Sequence, residues 1–316
     1  MKKILFLLLF PICVFSQSNF EKGQAYFQQE KLTKAKFYLV EVEKNDTNYY
    51  KAQEYLADIA VYQENLDEAL EIYEELVERF PENANLNFKY GGTLGLKALS
   101  VTKIEAAFYI SDIKKYFKRA AELDKNHIEA RWALVELYVK LPGFIGGSFE
   151  TATTYADQLL EISPINGYFA KGYIAEHDNQ SKIARSYYLK AMELNNAEAC
   201  QQDLQNFSLH KIDNLDAEKT AIGCQNFNRN QLNYLTGKVA AEYNIQNQRG
   251  IFYLQQYIKN FSPVDGVPLH YAFYRKAQLY KNLGDKKQAE KWINKSLELN
   301  NDFEKAFEEK TKIQAM

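Results

Sequence analysis

Residue types able to do acid–base, nucleophilic or metal chemistry are scattered through this sequence rather than grouped. The four histidines, His127, His177, His210 and His270, stand far apart, and none has a second His, Cys or carboxylate at a metal-ligand spacing. The sequence holds no HExxH, no GxSxG and no dinucleotide fingerprint. It therefore offers no catalytic residue, no metal ligand and no cofactor site, and it points to a non-enzyme. One stretch stands out, LPGFIGGS at residues 141–148. Gly143, Gly146 and Gly147 just before Ser148, a good helix N-cap, would set backbone N–H groups toward an anion at a helix start. The stretch lacks the lysine of a phosphate loop and follows a helix pattern, not a strand. An extended turn whose Phe144 and Ile145 touch a partner is the simpler reading. The alternative is an envelope enzyme subunit or small-ligand-binding protein that uses this loop.

The elements around that loop are read from residues 65–83, NLDEALEIYEELVERFPEN. Leu66, Ala69, Leu70, Tyr73, Leu76, Val77 and Phe80 recur at steps of three and four, the spacing of one helix face. Pro81, without an N–H, stops the helix. Ala69, then an aromatic four residues on, then Pro81 forms a unit that returns along the chain. Ala35 and Ala69 stand 34 residues apart, and Ala152 and Ala184 stand 32 apart. Gly172, Ala184, Tyr188, Ala191 and Leu194 repeat the arrangement, as do Ala277, Tyr280, Leu283, Gly284, Asp285, Ala289 and Leu297.

On these residues the sequence resembles the tetratricopeptide repeat family, whose period and A-x3-F…P half-pattern it shares. The resemblance implies an all-α, right-handed α-solenoid of about eight helical hairpins. An amphipathic tail carrying Phe303, Ala306, Phe307 and Ile313 reads as the terminal capping helix. Five repeats are expected over residues 18–196, the third and fourth with insertions. The third carries its excess as longer helices, because Leu94 to Tyr109 contains no proline. A degenerate repeat is expected over 197–230, with a polar disordered spacer as the other reading, and two further repeats and the cap over 231–316. In that register Cys200 and Cys224 fall on the two helices of the degenerate hairpin. A disulfide between them and a pair of buried thiols both remain open.

The family also implies where a partner binds, on the exposed face of each first helix at positions 2, 5, 9, 12 and 13. That assigns Glu129, Trp132, Glu136 and Lys140 in the fourth repeat, Phe169, Tyr173 and His177 in the fifth, and Tyr271, Tyr274, Gln278 and Lys281 in the eighth. Aromatics among a few charges suit an apolar peptide or partner helix. The family's carboxylate clamp of Lys and Asn on adjacent repeats is not found, so that ligand is disfavoured.

Composition agrees with a protein or peptide partner. With 39 Lys plus Arg against 41 Asp plus Glu the net charge is −2, with no basic block, which argues against nucleic acid or anionic lipid as the main partner. Residues 1–17, MKKILFLLLFPICVFSQ, read as a secretory signal peptide: two lysines, a short apolar run, then a small polar exit. Ile12 and Pro11 precede Cys13 where a lipobox wants a small residue, so a lipid anchor is disfavoured. No later stretch is apolar and long enough to span a bilayer. The expectation is an exported scaffold of the periplasm or cell envelope, or a secreted one.

Overall fold

The computed structural model describes residues 18–194, 230–261 and 267–316. Among these residues there are fifteen α-helices and no strand, and the helices pair into hairpins as a tetratricopeptide-like solenoid. The chain divides into two compact units, Met1–Arg79 and Phe80–Met316. The expected boundaries at 196 and 231 and the degenerate repeat between them fall on or beside residues outside the described ones, as do Cys200 and Cys224.

The first unit holds two hairpins, α1 (Asn19–Gln28) with α2 (Leu32–Leu39) and α3 (Tyr49–Tyr62) with α4 (Leu66–Arg79). Ser18 caps α1 through a box with Glu21, satisfying backbone donors that a helix start leaves free. In α4 the buried residues are Ala69, Tyr73, Leu76 and Val77, the expected stripe. Phe80 lies past the helix end and is exposed. Tyr73 donates its hydroxyl to Asp58 on α3, which satisfies the one polar atom on that buried face.

The second unit begins with α5 (Ala84–Ser100) and α6 (Lys103–Leu123). The excess of the third repeat is helical: α5 runs 17 residues and α6 21. Next come α7 (Ile128–Lys140) and α8 (Phe149–Ile162), joined through a 3-10 turn at Gly143–Ile145, then α9 (Pro164–His177) and α10 (Ser181–Leu194). The later hairpins are α11 (Asn230–Tyr243) with α12 (Asn247–Lys259) and α13 (Leu269–Asn282) with α14 (Lys286–Leu299); α15 (Glu304–Gln314) follows. Each first helix also touches the first helix of a neighbouring hairpin, α5 with α7, α7 with α9 and α11 with α13.

Small residues set the distance within a hairpin. A Cβ on Gly172 of α9 would lie 2.3 Å from the Tyr188 ring of α10, so that ring seats on the bare helix backbone. The turns share a second device, a left-handed residue just after the first helix: Glu30, Glu64, Asn179, Asn244 and Gly284 have φ between 49° and 77°. The tail is the expected cap. Phe303, Ala306 and Ile313 are buried with Tyr274, Ala277 and Ile293, whereas Phe307 faces outward.

Candidate functional site

First helices of the second unit line a cavity of about 440 Å³. Phe88 comes from α5; Ile128, Glu129, Trp132, Ala133 and Glu136 from α7; Asn166, Phe169 and Tyr173 from α9; and Gln231, Leu232, Leu235, Lys238 and Val239 from α11. Ser163 and Pro164 start α9 where they do because proline's fixed φ and missing N–H suit the first helical position. That places Asn166 one turn in, fully buried, donating to Ser163 Oγ at 2.8 Å and accepting from Trp132 Nε1 at 2.9 Å. The indole is thereby held in one orientation across the α7–α9 junction. Its ring centroid lies 6.4 Å from that of Tyr173, edge to face.

The Tyr173 hydroxyl is buried with no hydrogen-bond partner. Burial first, then the charges of Glu136 and Glu176, hold its phenol above the ordinary range, so it stays a donor. Glu129 and Glu136 give the cavity a negative edge on α7, and Lys238 a positive one on α11. Lys140 pairs with Glu136 at 3.0 Å on the exposed surface. An apolar hollow with charges at its rim fits an apolar side chain of a peptide.

Five expected residues, Glu129, Trp132, Glu136, Phe169 and Tyr173, thus share one cavity. Phe169 is fully buried against Tyr188 and serves as its floor, not as a presented contact. His177 is exposed one turn beyond, outside the lining; its ring lies 4.1 Å from that of Tyr173 and its Nδ1 bonds the Tyr173 carbonyl at 2.9 Å. Tyr271 and Tyr274 belong elsewhere. Their rings pack on Phe303 at 4.7 and 5.3 Å, and Tyr274 is buried. The start of the cap covers the face of α13 that the pattern left open, so these two are packing residues. On the same helix, Lys281 pairs with Glu309 of the cap at 2.5 Å.

The glycine loop does not present donors to an anion. The N–H groups of Ile145 and Gly147 bond Pro142 O, that of Gly146 bonds Gly143 O, and that of Ser148 bonds Tyr138 O. Lys114 Nζ of α6 donates to the carbonyls of Ile145 at 3.1 Å and Gly146 at 3.0 Å. Gly146 has φ +86°, and Gly147 lies where a Cβ would sit 1.7 Å from Leu141 O. Ser148 caps α8 through Thr151 N at 3.0 Å, as its residue type implied. The glycines close a compact turn. His127 likewise caps α7, accepting from Ala130 N at 3.3 Å, and His270 packs beside Tyr271 and Phe303.

A family model described as tetratricopeptide repeat matches residues 16–49, 165–198 and 270–303, and a second of the same description matches 55–94. The chain carries tetratricopeptide repeats. A solved tetratricopeptide repeat protein from Parabacteroides merdae aligns over 94% of this chain and 97% of its own, with a TM-score of 0.50 at 12% identity. A thermophilic repeat protein of Thermus thermophilus aligns over 55% of this chain and 89% of its own, with a TM-score of 0.45 at 15% identity. At such identity the Parabacteroides likeness speaks for the fold alone. No curated protein matches the chain.

In this repeat frame the unassigned wall residues become regular. Phe88 is the fifth residue of α5, and Gln231 and Lys238 are the second and ninth of α11. Carrying the positions used for the fourth and fifth repeats to the third and seventh would have found them. Repeats of this kind generally serve as protein–protein interaction scaffolds and are typically non-catalytic.

Proposed function

We propose that this protein is a non-catalytic scaffold of the cell envelope that holds a peptide or helix of a partner protein in the α7–α9–α11 cavity. The observation that carries the reading is the Trp132–Tyr173 pair, an indole locked by Asn166 beside a buried hydroxyl that lacks an acceptor. A small turn of the Tyr173 ring into the cavity would let a bound backbone carbonyl supply it. Such preorganisation lowers the ordering cost of binding, and Trp and Tyr anchors commonly dominate an interface. Export rests on residues 1–17, whose charged start, apolar run and polar exit are those of a signal peptide.

The test is a pull-down from envelope extract with the wild-type chain, Trp132→Ala and Tyr173→Phe, partner retention being titrated for each. Tyr173→Phe keeps the ring and removes only the donor. It should hold the fold and weaken retention about tenfold, the worth of one buried hydrogen bond. Trp132→Ala should lose the partner. Equal retention by all three would remove the site assignment, and export would be refuted separately if cell fractionation found the chain in the cytoplasm with residues 1–17 still attached.

A further inference from the structure

Helix α14 carries Lys291 and Lys295 four residues apart, on one helix face, with Trp292 beside them. Lys276 of α13 reaches the same indole from the other helix of the hairpin. Its Nζ lies 3.7 Å from the Trp292 ring centroid, and those of Lys295 and Lys291 lie at 4.9 and 5.6 Å. Phe273, on α13 with Lys276, closes the cluster with its ring centroid 5.5 Å from that of Trp292. Three ammonium groups from two helices thus converge on one ring.

Such a group of cations repels itself. Lys276 is 1% exposed, and the charges that act on it among the described residues are Lys291 and Lys295, both of its own sign. No ion pair or hydrogen bond among the described residues ties any of the three lysines to a carboxylate or a carbonyl. A buried charge is ordinarily paired, and like charges four apart on a helix oppose its formation. The indole face attracts the Lys276 ammonium, but a ring carries no net charge to cancel it. The indole also adds a donor of its own, since Trp292 Nε1 is buried and has no acceptor. Each polar group of the cluster is a donor, and the complement to all four is an anion.

We propose that the cluster of Lys276, Lys291, Lys295 and Trp292 binds a phosphate group, as the free ion or as the end of a monoester. Phosphate brings about two negative charges and at least three acceptor oxygens to three ammoniums and an indole N–H, where a carboxylate brings one charge and two oxygens. Lys291 and Lys295 are exposed, so the anion arrives from solvent at the α14 surface, and their flexible stems can part to admit it. None of these residues lines the α7–α9–α11 cavity, so the site does not depend on the peptide reading.

The chain has two tryptophans, so Trp132→Phe leaves Trp292 as the reporter. In that background inorganic phosphate, titrated at pH 7 and constant ionic strength, should change the Trp292 emission saturably, and acetate should not. Lys276→Met keeps the stem and removes the charge, and it should abolish the response. Lys291→Gln/Lys295→Gln, altered only at exposed positions, should weaken phosphate at least about tenfold through the loss of two charge-assisted hydrogen bonds. Circular dichroism and melting in phosphate-free buffer show that both variants are folded, so a lost response is not an unfolded repeat. Methyl phosphate separates the two sources: tighter binding than inorganic phosphate assigns the site to a monoester end, and weaker binding assigns it to the free ion. An equal response to acetate, no saturable response to phosphate, or unchanged affinity in the lysine double variant would overturn the proposal.

Discussion

Lys276 shows how much one residue weighs in a repeat core. It is 1% exposed, with Nζ 3.7 Å from the ring centroid of Trp292, and Lys291 and Lys295 also approach that ring. Burial, then repulsion from Lys291 and Lys295, lowers its pKa from 10.5 to about 8. Between those values the unfolded chain binds the proton more tightly than the folded one. Stability therefore rises as pH climbs from about 8 toward 10.5, and the cost of burying the ammonium is fully present below about 8. The ring's negative face recovers part of that cost, on the order of 1–2 kcal/mol. Lys276→Met, similar in shape and uncharged, should raise stability at pH 7 by up to about 3 kcal/mol, and the gain should shrink as pH approaches 10. Denaturant unfolding of both chains across that range measures it. A variant less stable at pH 7 would mean that the cation–ring contact outweighs desolvation.

At the level of elements, the α9–α10 hairpin depends on Gly172. A methyl there meets the Tyr188 ring at 2.3 Å, and that ring is anchored by its hydroxyl, which donates to Glu176 at 2.7 Å. Gly172→Ala should cost about 1–3 kcal/mol by overpacking, read as a lowered denaturation midpoint. An unchanged midpoint would show that Tyr188 can swing aside. Such small positions made the hairpins legible in the sequence, since a glycine opposite an aromatic encodes the distance between two helices. The long third repeat was legible for a similar reason: with no proline between Leu94 and Tyr109, nothing stops the helices. The binding face was legible only in part. Glu129, Trp132 and Glu136 of α7 do line the cavity, yet Tyr271 and Tyr274 of α13 lie against Phe303. A repeat pattern says which face a helix turns toward its successors, but not where the cap will cover it.

On the scale of the molecule, stability in a repeat array is a sum of each hairpin's own stability and its interfaces with neighbours. The second unit, Phe80–Met316, offers a direct trial at its last interface. Helix α15 contributes Ala306 and Ile313, and Phe303 just before it, all buried against α13 and α14. It adds the Lys281–Glu309 pair at 2.5 Å and a bond from Lys286 Nζ to Gln314 O at 2.7 Å. Removing residues 303–316 exposes Tyr274, Ala277 and Ile293, and strips Lys281 of its carboxylate. From the apolar side chains alone the loss is on the order of 4–6 kcal/mol. That is comparable to the whole stability of a small domain, so α13 and α14 should open readily. Hydrogen exchange should show protection falling across α13 and α14 while α7 to α10, which do not touch the cap, keep theirs. If protection fell equally in α7 to α10, the unit would unfold as one body, and the peptide cavity on α7, α9 and α11 would depend on a helix it never contacts.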